Sequence, residues 1–281
     1  MNKINTSFQR ARRLIGENRS IEWVRTRYHR PQGLVFIPPL IGGDLSQQIS
    51  DFRWLIKQRY DLVSFNYSGH GKSTNLFSIG ASLRDTQHML SDTGSAATRE
   101  AVPLFGIASC YGAIPLLSAV HRLKQSLAGI VLINAVPGFF PDVMLTSFLS
   151  HYRQVFYSRN TFTGFPTALK QHTDRLFPGI TKGKDHFGTL KRRRAALAKT
   201  IFEFLTLEPL KGVRLDHIPV LCLHAQKDSI LNIYRDYRDN IRAVCPQVRF
   251  HCLKADHFLS HANVRREATH LISNFLGFAQ K

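Results

Sequence analysis

Phe105-Gly106-Ile107-Ala108-Ser109-Cys110-Tyr111-Gly112-Ala113 is the stretch around which the rest of this chain is organised. The residues before it, Ala101-Val102-Pro103-Leu104, lead into a short apolar run with the character of a strand. From residue 113 to 124, apolar residues recur at helical spacing. A strand that turns sharply into a helix forces one residue into a strained conformation. The residues two before and two after it must then be small for the turn to close. Centred on Cys110, those flanks are Ala108 and Gly112, both small. Centred on Ser109, they are Ile107 and Tyr111, both too bulky. The frame therefore selects Cys110 as the candidate nucleophile, with Ser109 as its neighbour. The competing reading is a buried structural cysteine at an ordinary strand–helix joint, the common fate of a lone cysteine.

Outward from this elbow, strand-like and helix-like segments alternate. Residues 21–27 alternate in polarity and read as an edge strand. Residues 33–37 form a buried strand stopped by Pro38-Pro39, followed by the loop Leu40-Ile41-Gly42-Gly43-Asp44 and a helix through Trp54 and Leu55. Residues 61–66 are the next strand, and it runs into Tyr67-Ser68-Gly69-His70-Gly71-Lys72-Ser73. The apolar run 128–134 follows the elbow helix, and two further strands are expected at 218–224 and 248–253, with a closing helix over 263–278. Strands alternating with helices at this spacing predict an α/β fold with a mostly parallel sheet covered by helices on both faces. Between 137 and 213 the pattern changes to Phe, Tyr, His and basic residues with Pro and Gly breaks, including the run Lys191-Arg192-Arg193-Arg194. This segment reads as a helical cap insertion that divides the core into 21–136 and 214–281. Residues 1–20 read as a basic helix or arm, because Ile4, Phe8, Ala11 and Ile15 recur at helical spacing among five basic residues. Such a helix is expected to touch an anionic membrane surface or simply to pack on the domain.

Composition narrows the function classes. A chain of 281 residues with 43% hydrophobic content can bury one large core. Its four cysteines, Cys110, Cys222, Cys245 and Cys252, show neither C-x-x-C nor metal-site spacing and read as reduced thiols of a cytoplasmic protein. No metal or other cofactor is expected. No apolar run approaches the ~20 residues that span a bilayer. The net charge of +19 attracts polyanions. Helix-turn-helix, zinc and RNA-binding signatures are lacking, which argues against specific nucleic-acid recognition.

Two more segments supply the partners that a cysteine nucleophile needs. Ala225-Gln226-Lys227-Asp228-Ser229 puts Asp228 on a loop after one strand. Lys254-Ala255-Asp256-His257-Phe258-Leu259 puts His257 after the next. In the order Cys110, Asp228, His257, the imidazole would withdraw the thiol proton and the carboxylate would hold the imidazole in one tautomer. Asp256 and His261 are the near competitors for these roles.

With these motifs, residues 21–134 and 217–281 resemble the α/β-hydrolase superfamily. The segment from Asp61 to Ser73 is similar to its D-x-R-G-H-G-x-S signature, and the order nucleophile–acid–histidine is that family's order. A cysteine elbow with a Pro-Pro after the third strand resembles the polyhydroxyalkanoate synthases, although this chain is shorter and differs after Leu40. The stretch Phe77-Ser78-Ile79-Gly80 is similar to the acyl-transferase thioesterases of bacterial bioluminescence, and dienelactone hydrolases share an elbow cysteine. The resemblance implies an oxyanion hole made by the backbone N–H groups of Tyr111 and Leu40, with Ile41 as the next choice. The apolar and aromatic residues of the insertion, Phe139 and Phe140 among them, suggest a lid over an apolar acyl pocket that Pro39 and Ile41 also line, or else simply the insertion's own small core. The expected activity is hydrolysis or transfer of acyl thioesters, with acyl-CoA or an acyl-carrier protein as the anionic partner. Ester or lactone hydrolysis is the alternative, and a non-catalytic binding module is the reading from a different class.

Overall fold

A computed structural model of the chain describes residues 6–15, 19–40, 45–138, 190–228, 236–257, 259 and 261–279. Its strands are β1 (Thr6–Leu14), β2 (Ser20–Tyr28), β3 (Gly33–Ile37), β4 (Tyr60–Phe65), β5 (Leu104–Ser109), β6 (Gly129–Ile133), β7 (Val220–Ala225) and β8 (Val248–Leu253). They form one sheet in the order β1-β2-β4-β3-β5-β6-β7-β8. β1 and β2 are antiparallel, as are β2 and β4, and every pairing from β4 through β8 is parallel.

The described helices are α1 (Leu45–Asp51), α2 (Trp54–Lys57), α3 (Ile79–Arg99), α4 (Ala113–Leu123), α5 (Leu190–Thr206), α6 (Tyr237–Val244) and α7 (Ala262–Phe278). Strand side chains alternate between faces, so each strand feeds two cores. Leu34, Phe36, Val63, Phe65 and Ile130 join apolar residues of α3, α4 and α6 on one face. Val35, Ile37, Leu62, Phe105 and Val131 join α1, α2 and α7 on the other. In α7 the residues Val264, Ala268, Ile272 and Leu276, four apart, form the buried stripe. Parallel strands buried on both faces explain why β3 to β6 read as continuous apolar runs. None of the described helices is long and apolar enough to cross a membrane.

The N-terminal segment departs from the helix expected over residues 1–20. Thr6–Leu14 is a strand, paired along its whole length with β2 from Thr6↔Tyr28 to Leu14↔Ser20. An isolated basic helix of this length is marginal in water, whereas the free edge of β2 offers ladder hydrogen bonds to every second residue. Ion pairs hold the strand in place: Arg10 meets the buried Glu22 of β2 at 2.6 Å, and Arg13 meets Asp92 of α3 at 2.8 Å. The helical face on which the membrane expectation rested is therefore not formed in residues 6–14. It follows that β2 is not the edge strand predicted, because β1 covers it. The helix expected through Trp54 and Leu55 is in fact two short ones, α1 and α2.

Glu22 also organises the loop after β4. Its Oε2 accepts from Asn66 Nδ2 at 2.7 Å and from the Lys72 N–H at 2.8 Å, while Asn66 Oδ1 accepts from the Leu45 N–H at 2.9 Å. Burial pushes the Glu22 carboxyl up, but these hydrogen bonds and Arg10 outweigh it and hold the group below its usual range. Gly71 has φ +51°, and a Cβ there would lie 2.0 Å from Asn66 Nδ2. A glycine is needed at this point for both conformation and space. The cap expected over 137–213 lies largely outside the described residues, with α5 in its last third.

Candidate active site

In a parallel sheet all strands end at the same edge, so the loops after β5, β7 and β8 converge there. β5 ends at Ser109, whose φ of −113° is extended backbone. The next residue, Cys110, has φ +48°, the left-handed region that a side chain other than glycine adopts only under constraint. A turn of 3₁₀ helix, Cys110–Gly112, then passes into α4. The strained residue of the elbow is thus Cys110, not Ser109. Ala108 is fully buried, and a Cβ on Gly112 would lie 3.1 Å from the carbonyl oxygens of both Pro38 and Pro39. The two small flanks have a physical cause: the chain leaving β3 crosses directly over the elbow. The Cys110 carbonyl accepts from the Val136 N–H at 3.1 Å, which ties the elbow to the end of β6.

His257 and Asp228 meet at this edge. His257 Nδ1 donates to Asp228 Oδ2 at 2.6 Å, with the carboxylate side chain fully buried and the imidazole 8% exposed. His257 also lies within hydrogen-bonding reach of Cys110. Burial alone would lower the imidazole pKa. The hydrogen bonds and charges of Asp228 and Cys110 act more strongly in the other direction and raise it to about 10. The imidazole that stands beside the Cys110 thiol therefore stays protonated at neutral pH. Of the competing residues, His261 is exposed at the N-cap of α7, and the carboxylate facing His257 Nδ1 is that of Asp228 rather than Asp256.

The other cysteines have different surroundings. Burial pushes Cys222 up to about 11 and Cys245 up to about 12, while Cys252 is exposed. Leu40 and Pro39 are described, and Pro39 is buried against the elbow. Ile41, Phe139 and Phe140 lie outside the described residues. Among the described residues, no group of three His, Cys, Asp or Glu side chains is placed to hold a metal ion.

Asn134 is a residue that the sequence reading passed over. It follows β6 with φ +46° and is 2% exposed. Its Nδ2 donates to the His257 carbonyl at 2.6 Å, and its Oδ1 accepts from the Ala225 N–H at 2.7 Å. One side chain thereby clamps the end of β7 and the histidine loop. Two backbone bonds complete the lacing: Gln226 N–H to Leu253 O at 2.8 Å and Lys227 N–H to Ala255 O at 3.0 Å. The available signal was an asparagine directly after an apolar run, since asparagine tolerates the left-handed conformation.

Neither a protein-family model nor a curated protein sequence matches this chain. Solved structures do. A soluble variant of monoglyceride lipase from Saccharomyces cerevisiae, in complex with a substrate analogue, aligns with a TM-score of 0.64 at 11% identity, over 99% of this chain and 98% of that one. An esterase from Pyrococcus furiosus aligns with a TM-score of 0.68 at 12% identity, over 98% and 92%. A thermostable carboxyl esterase from Bacillus coagulans, in complex with glycerol, aligns with a TM-score of 0.66 at 11% identity, over 98% and 99%. The fold is that of the α/β-hydrolases. In that fold the elbow, the acid loop and the histidine loop stand at the carboxyl edge of the sheet, where Cys110, Asp228 and His257 lie here.

Proposed function

We propose that the protein is an acyl hydrolase that uses Cys110 as a covalent nucleophile, with carboxylic esters as its substrate class. The observation that carries this reading is the contact between Cys110 and an imidazole already oriented by a buried carboxylate, at a strained elbow. Cys110 sulfur attacks the acyl carbon, and the carbonyl oxygen takes the electron pair. As the tetrahedral species collapses, the C–O bond to the alcohol breaks and His257 gives the leaving oxygen its proton. Water then attacks the acyl-cysteine with neutral His257 as base, and the thiolate leaves as the acid product forms. The N–H groups of Tyr111 and Leu40 are the proposed donors to the oxyanion. The passage of Pro38 and Pro39 over Gly112 supports that pairing, because it brings the chain after β3 beside the residue after the nucleophile.

Esters stand first because the esterases and lipases above share this fold over nearly the whole chain. Acyl thioesters, the class favoured by the sequence, stand second. A thiolate suits thioester exchange, and a net charge of +19 suits a coenzyme A or acidic carrier-protein donor. Neither ranking supports the polymer-forming activity of the synthases that the elbow resembles.

The test is mass spectrometry of the protein mixed with a panel of p-nitrophenyl esters and acyl thioesters. An acyl adduct should map to the peptide holding Cys110 and be missing from Cys110→Ala. Iodoacetamide should label Cys110 ahead of the buried Cys222 and Cys245 and of the exposed Cys252. Full turnover in Cys110→Ala together with loss in Ser109→Ala would overturn the assignment.

A further inference from the structure

α5 turns its apolar side away from the domain. Ala198, Ile201, Phe202 and Leu205 follow the i, i+3, i+4, i+7 spacing of a single helical face. In a helix that only covers a core, that face is directed inward. Here the three large side chains are 48% to 65% exposed, and Ala198 is exposed beside them. Elsewhere among the described residues the large exposed apolar side chains are Phe8 and Leu14 on β1, Leu123 on α4 and Phe278 on α7, so only α5 gathers three into one row. A row of this kind marks an interaction surface rather than scattered surface residues.

Polar bonds on the opposite side fix the rotation of the helix. The Thr200 hydroxyl donates to the Phe77 carbonyl at 3.3 Å, and Glu203 accepts from the Gly80 N–H at 3.1 Å. Phe204 and, just past the helix, Leu207 pack against the core. At about 100° per residue, Thr200 and Glu203 lie roughly half a turn around the axis from the middle of the exposed row. The row cannot be turned towards the domain without breaking both bonds.

Charge decides what meets this face. α5 opens with Lys191-Arg192-Arg193-Arg194 and has no acidic residue in its first turn. Its carboxylate, Glu203, is held inward by Gly80, with Lys199 3.8 Å away. Five basic residues against one acid on this helix, in a chain of net charge +19, repel a second copy and attract an anionic layer. A basic run on the same helix as an outward row of Ile, Phe and Leu is the pattern of helices that lie in the headgroup region of a bilayer. The apolar row enters the acyl boundary, and the cations meet lipid phosphates. A single convex row also suits a fluid lipid interface better than a folded protein, which must offer it a matching groove.

We propose that α5 is a docking surface for anionic phospholipid bilayers, with Ile201, Phe202 and Leu205 as the inserted residues. The contact lies on α5 and not on the N-terminal residues, where β1 stands in place of the expected helix. The claim is independent of the acyl-hydrolase reading, because its test reads binding without turnover.

The test is flotation of the full chain with vesicles of phosphatidylcholine, alone or mixed with phosphatidylglycerol. The mixed vesicles should bind the protein saturably and at least tenfold more tightly than the neutral ones. Phe202→Ser should weaken that binding about tenfold or more, the effect of withdrawing one aromatic side chain from an apolar phase, and the Ile201→Ser/Leu205→Ser double variant should do the same. All three positions are exposed, and circular dichroism checks that the variants are folded. Arg193→Gln and Arg194→Gln should each weaken binding to the mixed vesicles about fivefold, with little change on neutral ones. Phe8→Ser, at a comparably exposed phenylalanine on β1, should bind as wild type does. Unchanged binding in both apolar variants would mean adsorption by net charge alone and overturn the proposal. An equal loss in Phe8→Ser, or no binding to the mixed vesicles, would also overturn it. So would a wild-type dimer in sedimentation equilibrium that Phe202→Ser converts to a monomer, because a second copy would then be the occupant.

Discussion

The loops after β4 and after β8 each carry a histidine at the carboxyl edge of the sheet, and each histidine is largely removed from water. His70 is 4% exposed, packed edge-on between the Tyr67 ring at 6.2 Å and the Phe77 ring at 5.1 Å. Its Nδ1 lies 3.4 Å from the Ser68 carbonyl, and its Nε2 is without a hydrogen-bond partner. Burial prevails over that one weak contact and drives its pKa down to about 4. His257 feels the same desolvation, yet Asp228 and Cys110 reverse its effect and hold the pKa at about 10. The difference teaches that a histidine on the right edge of the fold is not enough to make a base. A facing carboxylate turns a neutral packing residue into a charged partner for a thiol.

The largest effect expected from breaking this contrast is on turnover. Asp228→Asn removes the carboxylate that sets the tautomer, and kcat for a p-nitrophenyl ester should fall by roughly three to four orders of magnitude, as orienting carboxylates do in serine triads. His70→Leu should leave kcat unchanged within about threefold. Equal losses in the two variants would erase the distinction between the loops.

Next in size is Asn134→Ala. It deletes two buried hydrogen bonds and puts alanine in a left-handed conformation, so urea denaturation should show a loss of about 2–4 kcal/mol. Because Asn134 holds the His257 backbone, kcat should drop about tenfold or more while KM changes little. A loss of stability with kcat intact would reduce Asn134 to a structural residue.

The pH dependence of stability sharpens the comparison, because the two histidines give opposite slopes. His257 binds its proton more tightly folded than unfolded. Its contribution is complete below about 6.5, declines as pH rises, and is gone above about 10. His70 binds its proton less tightly when folded, so stability is lost as pH falls from 6.5 through about 4. Thermal melts from pH 4 to pH 10 should show His257→Gln converging on wild type at the alkaline end. His70→Leu should gain on wild type at the acid end. At neutral pH the His70→Leu change is the smallest expected here, within about 1 kcal/mol in either direction, because it trades an unpartnered nitrogen for imperfect packing. A parallel response of both variants would show that the two imidazoles share one environment.

Much of the site was legible in one dimension. Ala108 and Gly112 point to Cys110 because a tight strand–helix turn restricts the side chains beside it, and that restriction is local. Asp228 and His257 were legible because loops after parallel strands meet at one edge whatever the distance along the chain. Residues 6–14 misled because amphipathic spacing there is weak and the competing partner, the free edge of β2, lies outside any local window. Asn134 was hidden for a similar reason: its two bonds reach 91 and 123 positions along the chain.

By itself, the sequence determined the succession of strands from β2 to β8, the two-faced burial of the sheet, the elbow frame and the three residues of the candidate triad. Each depends on periodicity, residue size or chain order. Only the tertiary structure decided which histidine is charged and which is packed neutral, why Gly112 must be small, that residues 6–14 add a strand, and that Ile201, Phe202 and Leu205 face away from the domain. These are properties of distance between segments remote in sequence, and electrostatic and steric energies depend on that distance rather than on order along the chain.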